Sequence, residues 1–311
     1  MWEALLSNAL AALSEGLGKT VGTALAKLLW KWIQFVIAAS FISRLSPSVA
    51  IRLCTVRQIT EANDPDLSKA IALLASHLRA NVCDLGYDIR RWLEEVAQEK
   101  LEKRNKLEDY FFVCKRREAV VGVVYFHVYP KEEYAFVSYL VKEKRTEASR
   151  DSYVVTALAS KVKDTIIFQH PNCKAILFEL EMARLQDEPS MRLEKAARIS
   201  LFQRMFPGCF ELKIHYVQPK LALDPNREEE AQHLMVIPIA PVAKARLLPY
   251  REAAKMVKFV YGRVYGDAFE TQESNDKYVA YLKALTASVL RAIPRQVELA
   301  KIDCRPVARY R

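Results

Sequence analysis

Three runs of aromatic and β-branched residues constrain this chain most, because they lie too close together to pair in any but one way. They are Phe111 to Lys115, Val120 to Tyr129 and Ala135 to Val141, the first two joined by the polar turn Arg116-Arg117-Glu118. Strands so near in sequence form an antiparallel meander. The third run opens a longer stretch, Tyr134 to Val162, that changes character twice. After the strand comes a charged segment, Lys142 to Arg150, and then Val154, Val155, Leu158 and Val162 at helical spacing. A strand, a polar loop and a helix N-terminus together present main-chain N–H groups and the positive end of a helix dipole. Arg145 and Arg150 flank that turn. The arrangement suits a phosphate-bearing ligand, although loops of this composition are more commonly plain solvated connections.

Other elements follow from periodicity and punctuation. Ile51 to Arg57 alternates like a strand, Asn63-Asp64-Pro65-Asp66 is a turn that can start a helix, and Leu67 to Leu78 is helical. Residues 87–108 form a second, charged helical region. A helix is expected from Asp151 to Phe168, and a buried strand from Lys174 to Leu180 continues into Glu181. Residues 190–206 form a helix stopped by Pro207-Gly208. Strands Leu212 to Val217 and Leu234 to Ile239 follow, and residues 248–292 are mostly helical, with a second helix from Asp276 to Ala292. The fold class is therefore α+β, with one mixed, mostly antiparallel sheet flanked by helices.

The two ends differ from the middle. Both are basic, whereas residues 58–240 are balanced, within a chain of net charge +10. Basic ends attract anionic surfaces, a membrane or a nucleic acid, but no nucleic-acid reader motif is present. Ala24 to Ser43 is long enough to span a bilayer, with Lys27, Lys31 and Gln34 set against that and Trp30 and Trp32 suited to an interface. Three readings stay open: a helix docked on protein, a helix lying in a membrane interface, and a span. Location is thus cytoplasmic, or peripheral to or anchored in an inner membrane. Six scattered cysteines without a CxxC pair argue for thiols in a reducing compartment, and neither His170 to Cys173 nor any other cluster has metal-ligand spacing. The expected division is an apolar segment at 1–45, a central domain at 46–242 and a helical extension at 243–311, which packs on the sheet or builds a homodimer contact.

Over residues 51–240 the chain resembles the GNAT N-acetyltransferase superfamily, and its bacterial members in particular. The resemblance is carried by IRLCTVRQITEANDPDL, by YLVKEKRTEASR, by FELE, and by RISLFQRMFPG followed by HYVQPKL. It implies acetyl-CoA held between two neighbouring parallel strands that splay apart, here Phe136–Val141 and Ala175–Glu181. Tyr139, Leu140 and Val141 would then line the pantetheine arm, and Arg145, Ala148, Ser149 and Arg150 the pyrophosphate. The family's phosphate-loop glycines are absent: the matching positions read Arg145-Thr146-Glu147-Ala148-Ser149-Arg150, where the Ala148 methyl is small and the Glu147 charge is offset by Arg145 and Arg150.

Acetyl transfer needs a base for the amine and an acid for the departing thiolate. Relatives place a tyrosine on the helix after the FELE strand; the matching residue here is Phe202, so Tyr216 or Tyr139 would have to substitute. Glu179 and Glu181, two apart on one strand, are expected on one face, where either could serve as base or simply be ion-paired. His127 and His215 read as ordinary structural histidines, and no Ser-His-Asp set is arguable from the sequence. The implied function is acetyl transfer to a small-molecule or peptide amine, with a non-catalytic binding module as the alternative. The acceptor pocket would come from residues 79–108 and 220–232.

Overall fold

The computed structural model describes residues 54–77, 108–143, 152–182, 187–206, 208–219, 230–239, 247–266 and 275–301. Their strands are β1 (Thr55–Gln58), β2 (Glu108–Arg116), β3 (Ala119–Tyr129), β4 (Tyr134–Lys142), β5 (Ala175–Glu181), β6 (Phe210–Leu212), β7 (Val217–Gln218), β8 (Glu230–Pro238), β9 (Leu247–Pro249) and β10 (Gln296–Ala300). The helices are α1 (Leu67–His77), α2 (Ser152–Gln169), α3 (Pro189–Met205), α4 (Tyr250–Phe259), continued by a π-helical turn at Val260–Tyr265, and α5 (Asn275–Ala292). All ten strands join one sheet in the order β1-β2-β3-β4-β5-β8-β6-β10-β9, with β7 on β8. The pairs are antiparallel except β4–β5, which is parallel. That is the expected mixed sheet, with the meander β2-β3-β4 next to the β1 edge and β5 in the middle.

Alternation along the strands sorts side chains into two faces. Tyr110, Phe112, Cys114, Val124 and Phe126 join Val154, Leu158, Val162 and Ile166 of α2 in one cluster, with Ile199 of α3. On the other face Phe111, Val113, Val123 and Tyr125 pack with Leu67, Ala70 and Leu74 of α1. Tyr129, Tyr134, Phe136, Leu177 and Val236 lie beneath a third cluster built by α4, the π-helical turn and α5, including Met256, Val257, Tyr261, Leu282 and Val289. Tyr125 and Tyr129 share one face of β3, so α1 and the C-terminal helices cover adjoining parts of that same face.

Gly122 of β3 explains how close α2 comes. A Cβ there would collide with Val154 Cγ1 and lie 3.0 Å from Leu158 Cδ1. The turn before α1 is fixed by charge. Arg57 donates to Asp64 Oδ2 at 2.5 Å and to Asp66 Oδ2 at 2.6 Å, and Lys115 lies 2.8 Å from Asp66. Asp64 Oδ1 also accepts the Asp66 amide at 2.9 Å. The Arg57 guanidinium holds Asp64 below the ordinary carboxylate range. Burial alone would push Asp66 up, but the hydrogen bonds from Lys115 and Arg57 overcome it and leave it lowered.

Three expectations change. The strand expected at Leu212 to Val217 is two short strands. Ile214 N bonds back to Leu212 O at 2.8 Å and Lys213 N to Glu298 O at 3.0 Å, so the chain turns where a strand would continue. Part of the mostly helical 248–292 segment is π-helical. The C-terminal segment also adds β9 and β10 to the sheet, β10 pairing with β6. Among the described residues no helix is long and apolar enough to cross a membrane. The apolar stretch at 24–43 lies outside the described residues, as do the helical region expected at 87–108 except Glu108, which opens β2, and the segment at 220–232 except its last three residues, which open β8.

Candidate active site

The parallel ladder between β4 and β5 stops halfway. It pairs Tyr134–Val137 with Ala175–Phe178. Yet β4 stays paired to β3 as far as Lys142, and β5 to β8 as far as Glu181. Ser138–Lys142 and Glu179–Glu181 therefore follow different neighbours and form a fork. Its cause is a β-bulge. Tyr125 faces Tyr139 and Phe126 faces Val137, so Ser138 is an extra residue on β4. A bulge bends its strand and shifts the side-chain alternation by one. Val137 and Leu140 consequently pack on the α2 side, while Tyr139 and Val141 pack on the α1 side.

Ser138 and Glu179 are the first residues past the last rung, on opposite arms of the fork. Ser138 Oγ lies 2.9 Å from His127 Nε2 on β3. Glu179 is enclosed by hydroxyls and an amide. Tyr216 Oη donates to Oε1, and Tyr265 Oη and Gln218 Nε2 donate to Oε2 at 2.6 and 3.0 Å. Gln232 Nε2 donates in turn to Gln218 Oε1. Burial raises the Glu179 pKa, while these donors pull it down less strongly. Burial, and next the Glu179 charge, also raise Tyr216 and Tyr265. Tyr216 is wholly buried, stacked on Tyr261 at 5.4 Å, and Tyr261 Oη donates to Val217 O at 2.6 Å. The π-helical turn thus delivers both Tyr261 and Tyr265, consistent with the frequent use of such turns at functional sites.

The structure brings Glu179 and Tyr216 into direct contact, and it separates Glu181 from them. Glu181 lies 3.5 Å from Arg198 Nη1 and 4.0 Å from Lys195 Nζ, both on α3, so the two glutamates do not act on a common partner. Tyr139, Leu140 and Val141 lie on the β4 arm. Arg145, Ala148, Ser149 and Arg150 lie outside the described residues; α2 begins just after them, at Ser152. Phe202 packs at a tilt beside Phe178, the last residue of β5 paired with β4, with ring centres 5.2 Å apart, so an apolar ring occupies that place. His170 is structural: Nε2 lies 2.7 Å from Tyr110 Oη, and Cys173 of the same motif is buried. Tyr265 carried no signal in the sequence, because only the packing of the C-terminal helices places it on β5.

No protein-family model and no curated protein matches the chain. Solved structures with a similar arrangement include an acetyltransferase described as of the GNAT family from Bacteroides thetaiotaomicron, 16% identical, TM-score 0.40, covering 68% of this chain and 98% of its own. Others are spermidine N-acetyltransferase from Vibrio cholerae, 15% identical with TM-score 0.40 over 60% of this chain and 94% of its own, and aminoglycoside 6'-N-acetyltransferase from Enterococcus faecium, 16% identical with TM-score 0.38 over 60% and 97%. The chain is similar to these acetyltransferases at low identity.

Proposed function

We propose that the chain is an acyl-CoA-dependent N-acyltransferase of the GNAT type, with acetyl-CoA as donor and a small-molecule or peptide amine as acceptor. The fork between β4 and β5 carries this reading. It opens sheet edges to an extended thioester arm, and α2 begins close beyond the β4 arm, where its N-terminal amides suit a pyrophosphate. Arg145 and Arg150 would add charge there. Glu179 supplies the proton chemistry. A carboxylate with its pKa raised by burial suits removal of a proton from an ammonium, directly or through water. As the amine nitrogen bonds to the acyl carbon, the C–S bond breaks, and Tyr216, hydrogen-bonded to Glu179, would give its proton to the thiolate and recover from Glu179 the one taken from the amine. Titration calorimetry with acetyl-CoA tests the reading: saturable binding is expected, and no heat up to high micromolar concentrations would defeat it.

A non-catalytic acyl-CoA-binding module is the second reading. It is favoured by Phe202 and by the occupation of both Glu179 oxygens. Turnover of acetyl-CoA on a broad amine panel would count against it. Attachment to an anionic membrane through residues 24–43 is a further part of the proposal, tested by co-sedimentation of the full chain with anionic vesicles.

A further inference from the structure

Asp109, His127 and Ser138 sit side by side on the successive strands β2, β3 and β4. Asp109 and His127 face each other in the β2–β3 register, and the bulge brings Ser138 alongside. Asp109 Oδ1 contacts His127 Nδ1, and His127 Nε2 lies 2.9 Å from Ser138 Oγ. A carboxylate only accepts, so it fixes the imidazole as the Nδ1–H tautomer and leaves Nε2 to accept from the serine hydroxyl. Nucleophile, base and orienting acid are thereby in sequence, with the separation such chemistry requires. The Tyr125 ring packs edge-on against the imidazole at 4.5 Å and holds its plane. The Asp109 side chain is 8% exposed and that of His127 15%, so the acid is largely shielded while the ring retains an open edge. Ser138 stands at the mouth of the fork.

We propose that Ser138 is a nucleophile activated by His127 and Asp109, and that the fork passes an acyl group through a Ser138 ester, a two-step route that replaces the direct attack of the amine on the thioester. The identity of the donor, a CoA thioester, rests on the function proposed above; the nucleophile itself does not. In acylation Oγ bonds to the thioester carbon, its proton moves to His127 Nε2, and the C–S bond breaks as the thiolate takes that proton. In deacylation an amine attacks the ester carbon, gives its proton to Nε2, and Ser138 Oγ leaves and recovers it. The products are the N-acyl amine and free thiol; with water in place of the amine, a carboxylic acid results. No redox change is involved. Asp109 is a positioning residue in this scheme.

A fluorophosphonate probe, which carries no nucleotide, tests the nucleophile on the full chain. One phosphonyl group mapping by mass spectrometry to Ser138 is expected, with loss in Ser138→Ala and labelling slowed by ~100-fold or more in His127→Ala. Asp109→Asn should slow labelling too, a change that a purely structural ion pair would not produce in a protein that stays folded. If Ser138→Ala does not fold, Ser138→Cys serves instead, and its thiol should react faster with iodoacetamide when His127 is present. A folded protein that takes no label at Ser138, or labels equally without His127, overturns the proposal. Incubation with acetyl-CoA alone should leave the mass of one acetyl group on Ser138. Labelling without acetyl-CoA binding would sink the transferase reading and keep the nucleophile, whereas binding without labelling would do the reverse.

Discussion

Replacing Gly122 by alanine tests how tightly α2 is held against the fork. The new Cβ would collide with Val154 Cγ1, lie 3.0 Å from Leu158 Cδ1 and lie 3.3 Å from Val141 O. Val154 and Leu158 are 2% and 0% exposed, so neither side chain has room to retreat, and the Val141 carbonyl belongs to the β4 arm. Overpacking of this kind costs ~1–3 kcal/mol. The lost glycine freedom of the unfolded chain returns about 0.4–1 kcal/mol. The net expectation is about 0–2.6 kcal/mol of destabilisation, up to roughly 10 °C in Tm at the scale of domains somewhat smaller than this. Chemical denaturation of four proteins gives a sharper answer. Val154→Ala alone should cost about 2 kcal/mol, from two lost methyl groups and the space they leave. In the double variant the main collision is gone, so the loss should fall short of the sum of the singles by more than 0.5 kcal/mol. Because the collision pushes α2 outward, Gly122→Ala should also weaken acetyl-CoA binding. Strict additivity of the two substitutions would refute the packing argument.

Four further outcomes are expected. The Glu179 pKa is raised in the folded protein, so the folded state holds a proton over a range in which the unfolded chain has released it. Stability should therefore fall as pH rises from about 4.5 through the raised value, and Glu179→Gln should remove that slope in urea titrations at several pH values. Tyr265→Phe removes one donor to the enclosed carboxylate and should cost about 1.5–3 kcal/mol by the same assay, with a further rise in the Glu179 pKa. Asp64 and Asp66 are both lowered, so the stability they contribute is present above the ordinary value of 3.8 and lost as pH falls through their lowered values; Asp66→Ala should abolish much of that acid sensitivity at a cost of ~1–3 kcal/mol, reduced because Arg57 is 33% exposed. Ending the chain after Val242 should expose the Leu177, Leu212 and Val236 surface and cause aggregation; a monomeric, soluble truncation would contradict the third cluster's role.

The amino-acid sequence by itself determined the meander, α2 and the approach to β5. Phe111, Val123 and Val137 belong to short alternating runs joined by short turns, so local periodicity and chain length leave one pairing. That β4 and β5 lie side by side in parallel was implied only by the family resemblance, and the fold bears it out over Tyr134–Val137 and Ala175–Phe178. No strand was legible in the sequence beyond residue 292: five residues with Val297 and Leu299 at alternate places do not say which edge they would join, and β10 finds β6 and β9 only in the folded chain. Only the tertiary structure decided the chemistry of the fork. Strict alternation puts Glu179 and Glu181 on one face; in the folded protein Lys195 and Arg198 draw Glu181 to α3, while Tyr216 and Tyr265 close around Glu179. A single inserted residue at Ser138 re-aims the rest of β4 and sets its hydroxyl beside His127. A bulge has no strong local signature, since its energy comes from pairing with strands on both sides, and those pairings exist only after the chain has collapsed.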